Sequence, residues 1–227
     1  MGSGQSMDSL SELERRYDPV IRFRPTGRKI GILITFLLVS MSIYHFYASG
    51  FGLIREWLHR GIHLSFVLSL VFLLFGAHQN RSRGSVKTTW YRIDGIGIWD
   101  IALAITAVAV SLYLPLLPAE IVAHRVGAPS VSDVVMGSLL LVLVLEVTRR
   151  SVGLTMSVIA VVLVLYALFG TYAPGALKHP GASWEGLINH LYMTNQGIYG
   201  VAIGVVAKYV FLFVLFGVLA TRIGLGQ

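Results

Sequence analysis

Apolar runs about as long as a membrane is thick, with at most one charged residue each, alternate with short polar, mostly basic segments along this chain. The runs cover residues 30–49, 61–78, 97–117, 134–145, 152–172 and 198–220. At 1.5 Å of rise per residue, about 20 apolar residues cross a hydrocarbon core of roughly 30 Å. Five of the runs reach or approach that length. The fourth is short, because Glu146, Arg149 and Arg150 follow it directly. Pro115 and Pro118 close the third, and Pro174 with Gly175 follows the fifth. Residues 183–192 alternate with helical period, which predicts an amphipathic helix lying along the interface. The polar residues 1–29 hold Ser9 and Glu12 at capping-box spacing, and Pro19 and Pro25 stop any helix there from continuing. The pattern predicts an all-α integral membrane protein: a polytopic bundle of about six transmembrane helices with one interfacial amphipathic helix.

Composition strengthens that reading. Of 227 residues, 55% are hydrophobic and 13% charged, where a soluble domain carries about 25% charged residues. The mean hydropathy is +0.73. No cysteine is present, so disulfides, thiolate metal sites and cysteine nucleophiles are excluded. The net charge of +7 suggests nucleic acid only until its distribution is examined. With the N-terminus in the cytoplasm, thirteen basic residues fall in cytoplasmic segments and four (Arg55, Arg60, Arg125, Lys178) in external ones. That asymmetry is the positive-inside signature. The charge is thus topological and meets anionic membrane lipids, not nucleic acid, and the expected location is a cell inner membrane with the N-terminus cytoplasmic.

Several residues carry candidate chemistry. Lys208 falls near the middle of the sixth run, where a cation costs about 3 kcal/mol on insertion scales and so needs a reason to be present. It is read first as one half of an ion pair, then as a water-facing residue, then as a direct substrate contact. No acid at matching depth stands out in the other runs, so its partner is expected outside this chain. Asn195 and Gln196 place two amides where the sixth helix enters the membrane. Gly197, Gly200 and Gly204 put small residues along one helical face, suited to close helix packing or to local unwinding of the kind that builds transporter sites. Glu146, Arg149 and Arg150 stand at i, i+3 and i+4, the spacing of a structural clamp at a helix C-terminus. His59 and His63 share a helical face and read as interfacial histidines; the alternative, a haem or metal pair, lacks a second pair to complete it. No nucleophile elbow, paired intramembrane acids or phosphate-binding loop occurs, so no enzyme, resident cofactor or metal site is expected.

Three blocks carry a family resemblance: His59-Arg60-Gly61-Ile62-His63-Leu64, Leu145-Glu146-Val147-Thr148-Arg149-Arg150-Ser151-Val152-Gly153, and Leu191-Tyr192-Met193-Thr194 through Phe211-Leu212-Phe213-Val214-Leu215-Phe216-Gly217. Over residues 28–226 the chain resembles the fused permease of tripartite ATP-independent periplasmic (TRAP) transporters of the TAXI type. The resemblance implies a cytoplasmic tail at residues 1–29, a small four-helix subunit at 30–150, and the first two helices of the large transport module at 151–227. It also implies sodium as coupling ion, organic acids as cargo, and two partners: a TAXI-type periplasmic solute-binding protein and the remainder of the transport module. Two positions depart from the family pattern, which has Glu in place of Gln196 and a small hydroxyl residue in place of Lys208. Because the family continues well past the position of Gln227, the chain is expected not to transport alone. The rival class is a truncated, non-transporting membrane scaffold that assembles partners.

Overall fold

The computed structural model describes residues 23–52, 55–77 and 92–224. The Ser9–Glu12 capping box, and Arg81, Arg83 and Lys87 of the basic loop, lie outside the described residues. Six helices among those described are long and apolar enough to cross a membrane, spanning Arg28–Phe51, Glu56–Leu74, Ile98–Leu116, Val131–Ser151, Leu154–Tyr172 and Val201–Arg222. The first five contain α1 (Arg28–Phe51), α2 (Glu56–Leu74), α3 (Ile98–Leu116), α5 (Val131–Ser151) and α6 (Leu154–Phe169). A short α4 (Ala119–Arg125) links α3 to α5, and α7 (Trp184–Met193) precedes the sixth span. That span is not one α-helix. It comprises α8 (Val201–Val205), a π-helical turn (Val206–Val210) and α9 (Phe211–Arg222).

The bundle is organised around α2, which packs against α1, α3, α5 and the sixth span. In its most apolar window 61% of residues are buried, against 11% in each of the fifth and sixth spans. Small residues make this possible. Gly61, Ser65 and Ser69 recur every fourth position on α2, and Ala104, Ala107 and Ser111 are buried on α3. Such residues let helix backbones approach closely, which in lipid replaces the hydrophobic drive available in water. At Gly61 a Cβ would lie 2.5 Å from Pro115 Cγ and 3.0 Å from Ser111 O, so α2 and α3 touch there almost backbone to backbone.

Pro115 lies inside α3 rather than marking its end. Lacking an N–H, it leaves the carbonyl four residues earlier, that of Ser111, without its helical donor. The Tyr199 hydroxyl donates to that carbonyl at 2.8 Å, and the Tyr192 hydroxyl donates to Val110 O at 3.0 Å. Burial pushes both phenol pKa values up, so each stays a donor.

Both helix-end charge groups displace the expected boundaries. α2 begins at Glu56, five residues before the expected start of the second span, because Glu56 and Arg60 pair at i and i+4 and so tolerate the helix. The fourth span is not short: α5 runs 21 residues. Ser130 and Asp133 form a capping box at its start, and paired charges occupy its last turns. The amphipathic helix α7 turns its apolar face to protein rather than to lipid. Leu187, Ile188, Tyr192 and Met193 are buried, and a Cβ on Gly137 of α5 would sit 2.5 Å from Ile188.

A two-stranded hairpin, β1 (Arg92–Ile93) with β2 (Ile96–Gly97), precedes α3. Its turn holds Asp94 at φ 52, a left-handed conformation that Asp tolerates better than most residues. The Asp94 carboxylate accepts from Ile30 N at 3.0 Å, and its carbonyl accepts from Gly27 N at 2.8 Å. The hairpin thereby caps α1, whose own N-cap Gly27 has no side chain to do so.

Candidate functional site

Charged side chains gather at both ends of the bundle. At one end, Asp100 in the first turn of α3 receives Arg24 Nη1 and Arg150 Nη1, each at 2.7 Å. Arg150 Nε donates to Glu146 at 2.6 Å, and Arg149 grips the same carboxylate with two nitrogens at 2.8 Å. Backbone carbonyls complete the cluster: Arg24 donates to Phe72 O and Phe75 O, Arg150 to Phe75 O, and Arg149 to Ala77 O. The Arg150 guanidinium also lies 5.0 Å from the Phe72 ring centroid. Its side chain is only 4% exposed. The cluster joins the residues before α1 to the C-terminal ends of α2 and α5 and the start of α3, so these four lie on one side of the bundle.

The opposite end holds the residues singled out around the sixth span. α7 ends at Met193, and residues 194–200 fold into a compact turn before α8 begins. Gly197 and Gly200 belong to this turn and do not extend a helical face. A Cβ on Gly197 would lie 2.1 Å from Leu191 O, and one on Gly200 2.7 Å from Gly197 O. Of the three glycines only Gly204 packs against another span. A Cβ there would meet Arg60 Nε at 2.9 Å, so the glycine makes room for the guanidinium.

Arg60 reaches across from α2 and donates to Tyr199 O at 2.6 Å and, at 3.4 Å, to the Asn195 side-chain oxygen. Its remaining amino group lies 2.8 Å from Glu56 Oε1, and Lys208 Nζ donates to the same oxygen at 2.9 Å. The partner of Lys208 is therefore within the chain, contrary to the sequence expectation. Glu56 precedes the second apolar run in the sequence, yet in the structure it is the first residue of α2. The depth of Lys208 is also less than expected. The sixth span starts at Val201, so Lys208 is only two turns in and reaches the first residue of α2. Gln196 is exposed in the turn, with its backbone N–H donating to Thr194 Oγ1, and is not brought to this cluster.

A third histidine joins the two that the sequence singled out. His45, His59 and His63 are all buried where α1, α2 and the sixth span meet. A carbonyl can only accept, so His45 Nδ1, 2.7 Å from Met41 O, carries the proton. His45 Nε2 then accepts from His63 Nδ1 at 2.8 Å. By the same logic His59 Nε2 donates to Ala207 O at 3.3 Å, and its Nδ1 accepts from the Tyr44 hydroxyl at 3.0 Å. Ala207 lies in the π-helical turn, where the i→i+4 ladder is displaced. Among the described residues no group of His, Cys, Asp or Glu has the arrangement to hold a metal ion. The trio is a hydrogen-bonded joint.

Two shallow grooves lie apart from this cluster. One of about 310 Å³ is lined by Tyr166, His179, Leu187 and His190, and one of about 380 Å³ lies between α5 and α6 beside Glu146 and Arg149.

Helical content and six helices, among the described residues, long and apolar enough to span a membrane define the class: an all-α, multi-pass membrane protein. Comparison with protein-family models, curated proteins and solved structures gives no match.

Proposed function

We propose that this chain is the membrane permease component of a sodium-coupled secondary transporter that takes up organic acids delivered by a periplasmic solute-binding protein, as its resemblance to TAXI-type TRAP permeases implies. The observation that carries this reading is the interrupted sixth span. A glycine turn breaks it from α7, a π-helical turn distorts it at residues 206–210, and it is tethered to α2 by Arg60 and by Lys208. Discontinuous helices whose carbonyls meet polar side chains are the elements from which transporter sites are built, and π turns concentrate at functional positions.

In this reading residues 30–150 form the four-helix scaffold. Residues 151–227 open the moving transport module, whose remainder covers the apolar faces of the fifth and sixth spans. The buried network around Asp100 keeps the scaffold rigid, while the sixth span, whose ion pair to α2 through Lys208 is half exposed, stays adjustable. The N-terminus faces the cytoplasm, where the basic surplus belongs. In this reading sodium acts as the coupling ion, no resident cofactor is needed, and the cargo crosses the membrane chemically unchanged.

The test is uptake of a radiolabelled organic acid into vesicles under an inward sodium gradient. Vesicles holding this chain with the rest of the transport module and the binding protein should accumulate the acid, and those holding residues 1–227 alone should not. Sodium-independent uptake would overturn the coupling. No uptake by the complete assembly would leave the non-transporting scaffold as the function.

A further inference from the structure

The group formed by Glu56, Arg60 and Lys208 has an unusual balance. Two cations converge on one carboxylate oxygen, Glu56 Oε1, from 2.8 and 2.9 Å. Arg60 is held on its inner side by Tyr199 O and Asn195, and its Nε is buried without a hydrogen-bond partner. Its position is fixed by the missing side chain at Gly204. Tyr199 is itself pinned, by its hydroxyl bond to Ser111 O and by stacking on Trp57 at 5.7 Å between ring centroids. The guanidinium is therefore a preorganised, desolvated donor. The carboxylate it faces is not: the Glu56 side chain is 51% exposed and that of Lys208 44% exposed.

We propose that this is a carboxylate-exchange site, in which Glu56 occupies the place of a carboxylate ligand arriving from solution. With Glu56 swung aside, Arg60 and Lys208 would face each other with no counter-ion between them, an arrangement that like-charge repulsion disfavours. The two cations therefore need a carboxylate at all times, and exchange proceeds by replacement of one by another. Glu56 is suited to the outgoing role because it sits in the first turn of α2, half in water, and the one buried group it leaves, Arg60, is met at once by the incoming carboxylate. The incoming group is a carboxylate because the site already holds one, with an ammonium and a guanidinium converging on a single oxygen. A ligand with a second carboxylate gains from the surplus positive charge that remains once Glu56 has left. Since α2 belongs to the static bundle and Lys208 to the interrupted sixth span, the replacement changes what ties the two together.

The identity of the ligand as a transported acid rests on the transporter reading, but the existence of the site does not, and the test measures binding rather than uptake. Equilibrium dialysis of the purified 227-residue chain in detergent against radiolabelled succinate, at constant ionic strength in sodium chloride, reads it directly. A tethered competitor acts at an effective concentration in the millimolar range or above, so Glu56→Gln should bind succinate about tenfold or more tighter than the unmodified chain. Lys208→Met should lose binding, and Lys208→Arg should keep it. Monodisperse elution and an unchanged helical spectrum qualify each variant; should Lys208→Met fail there, the Glu56→Gln and Lys208→Arg results decide. Binding by Glu56→Gln no tighter than that of the unmodified chain would overturn the proposal. So would Lys208→Met binding as well as the unmodified chain, or a soluble short-chain phosphatidylglycerol binding in place of succinate.

Discussion

The two ends of the bundle carry charge groups of the same arithmetic and opposite character. Arg24, Arg149 and Arg150 face Asp100 and Glu146 at one end, and Arg60 and Lys208 face Glu56 at the other. Each has one positive charge in excess. At the first end, carbonyls from the end of α2 and the residues after it accept from all three arginines, and Arg150 is almost wholly buried. At the second, Lys208 and Glu56 stand half in water. Net charge does not separate a structural joint from an exchangeable one. Burial does, because a buried ion stripped of its partner cannot recruit water in its place. A joint meant to last is closed with backbone acceptors. One that must open keeps at least one member solvated.

The sharpest way to break this contrast is Asp100→Ala, which removes the carboxylate that Arg24 and Arg150 share and leaves Arg24 with carbonyl acceptors alone. Loss of a partner from a buried ion pair costs about 3–5 kcal/mol, so thermal unfolding of the variant in detergent should shift by many degrees. A shift within error would mean that water already reaches the cluster. Next in size is Glu146→Ala, expected to destabilise by about 1–3 kcal/mol through unpaired arginine donors. A double-mutant cycle with Arg149→Ala should show coupling, since Arg149 binds both oxygens of that carboxylate. Full additivity would reduce the pair to a solvated surface contact. The smallest effect belongs to Lys208→Met. Removing one arm of a half-exposed pair should change stability by less than about 1 kcal/mol, and the difference should vanish in about 1 M salt, where the screening length falls to about 3 Å. A large, salt-insensitive loss would place Lys208 with the buried cluster and erase the distinction.

Much of the architecture was legible in the order of residues. The six spans follow from apolar runs, because lipid admits only segments that satisfy their own backbone. Glu146, Arg149 and Arg150 could be grouped because i, i+3 and i+4 positions on a helix are neighbours whatever the rest of the chain does. The amphipathic stretch at residues 183–192 was visible for the same reason, although not what its apolar face would cover. Asp100 drew no notice, since an acid near a helix start looks like ordinary capping until two arginines from distant segments converge on it. Glu56 was hidden by the boundary assigned to α2. His45 reads in the sequence as an interfacial residue near the end of the first span, but it is buried between helices, because its partners lie 14 and 18 residues away on another helix.

The lengths of the apolar runs thus determined which of the described stretches are long and apolar enough to cross a membrane, because that property depends on interactions within a few turns or with the lipid itself. The partners of Lys208, the third histidine, the donor that satisfies Ser111 after Pro115, and the separation of Gly204 from Gly197 and Gly200 were decided only when helices packed. Those contacts join residues tens of positions apart, and no spacing along a sequence encodes which faces of two helices will meet.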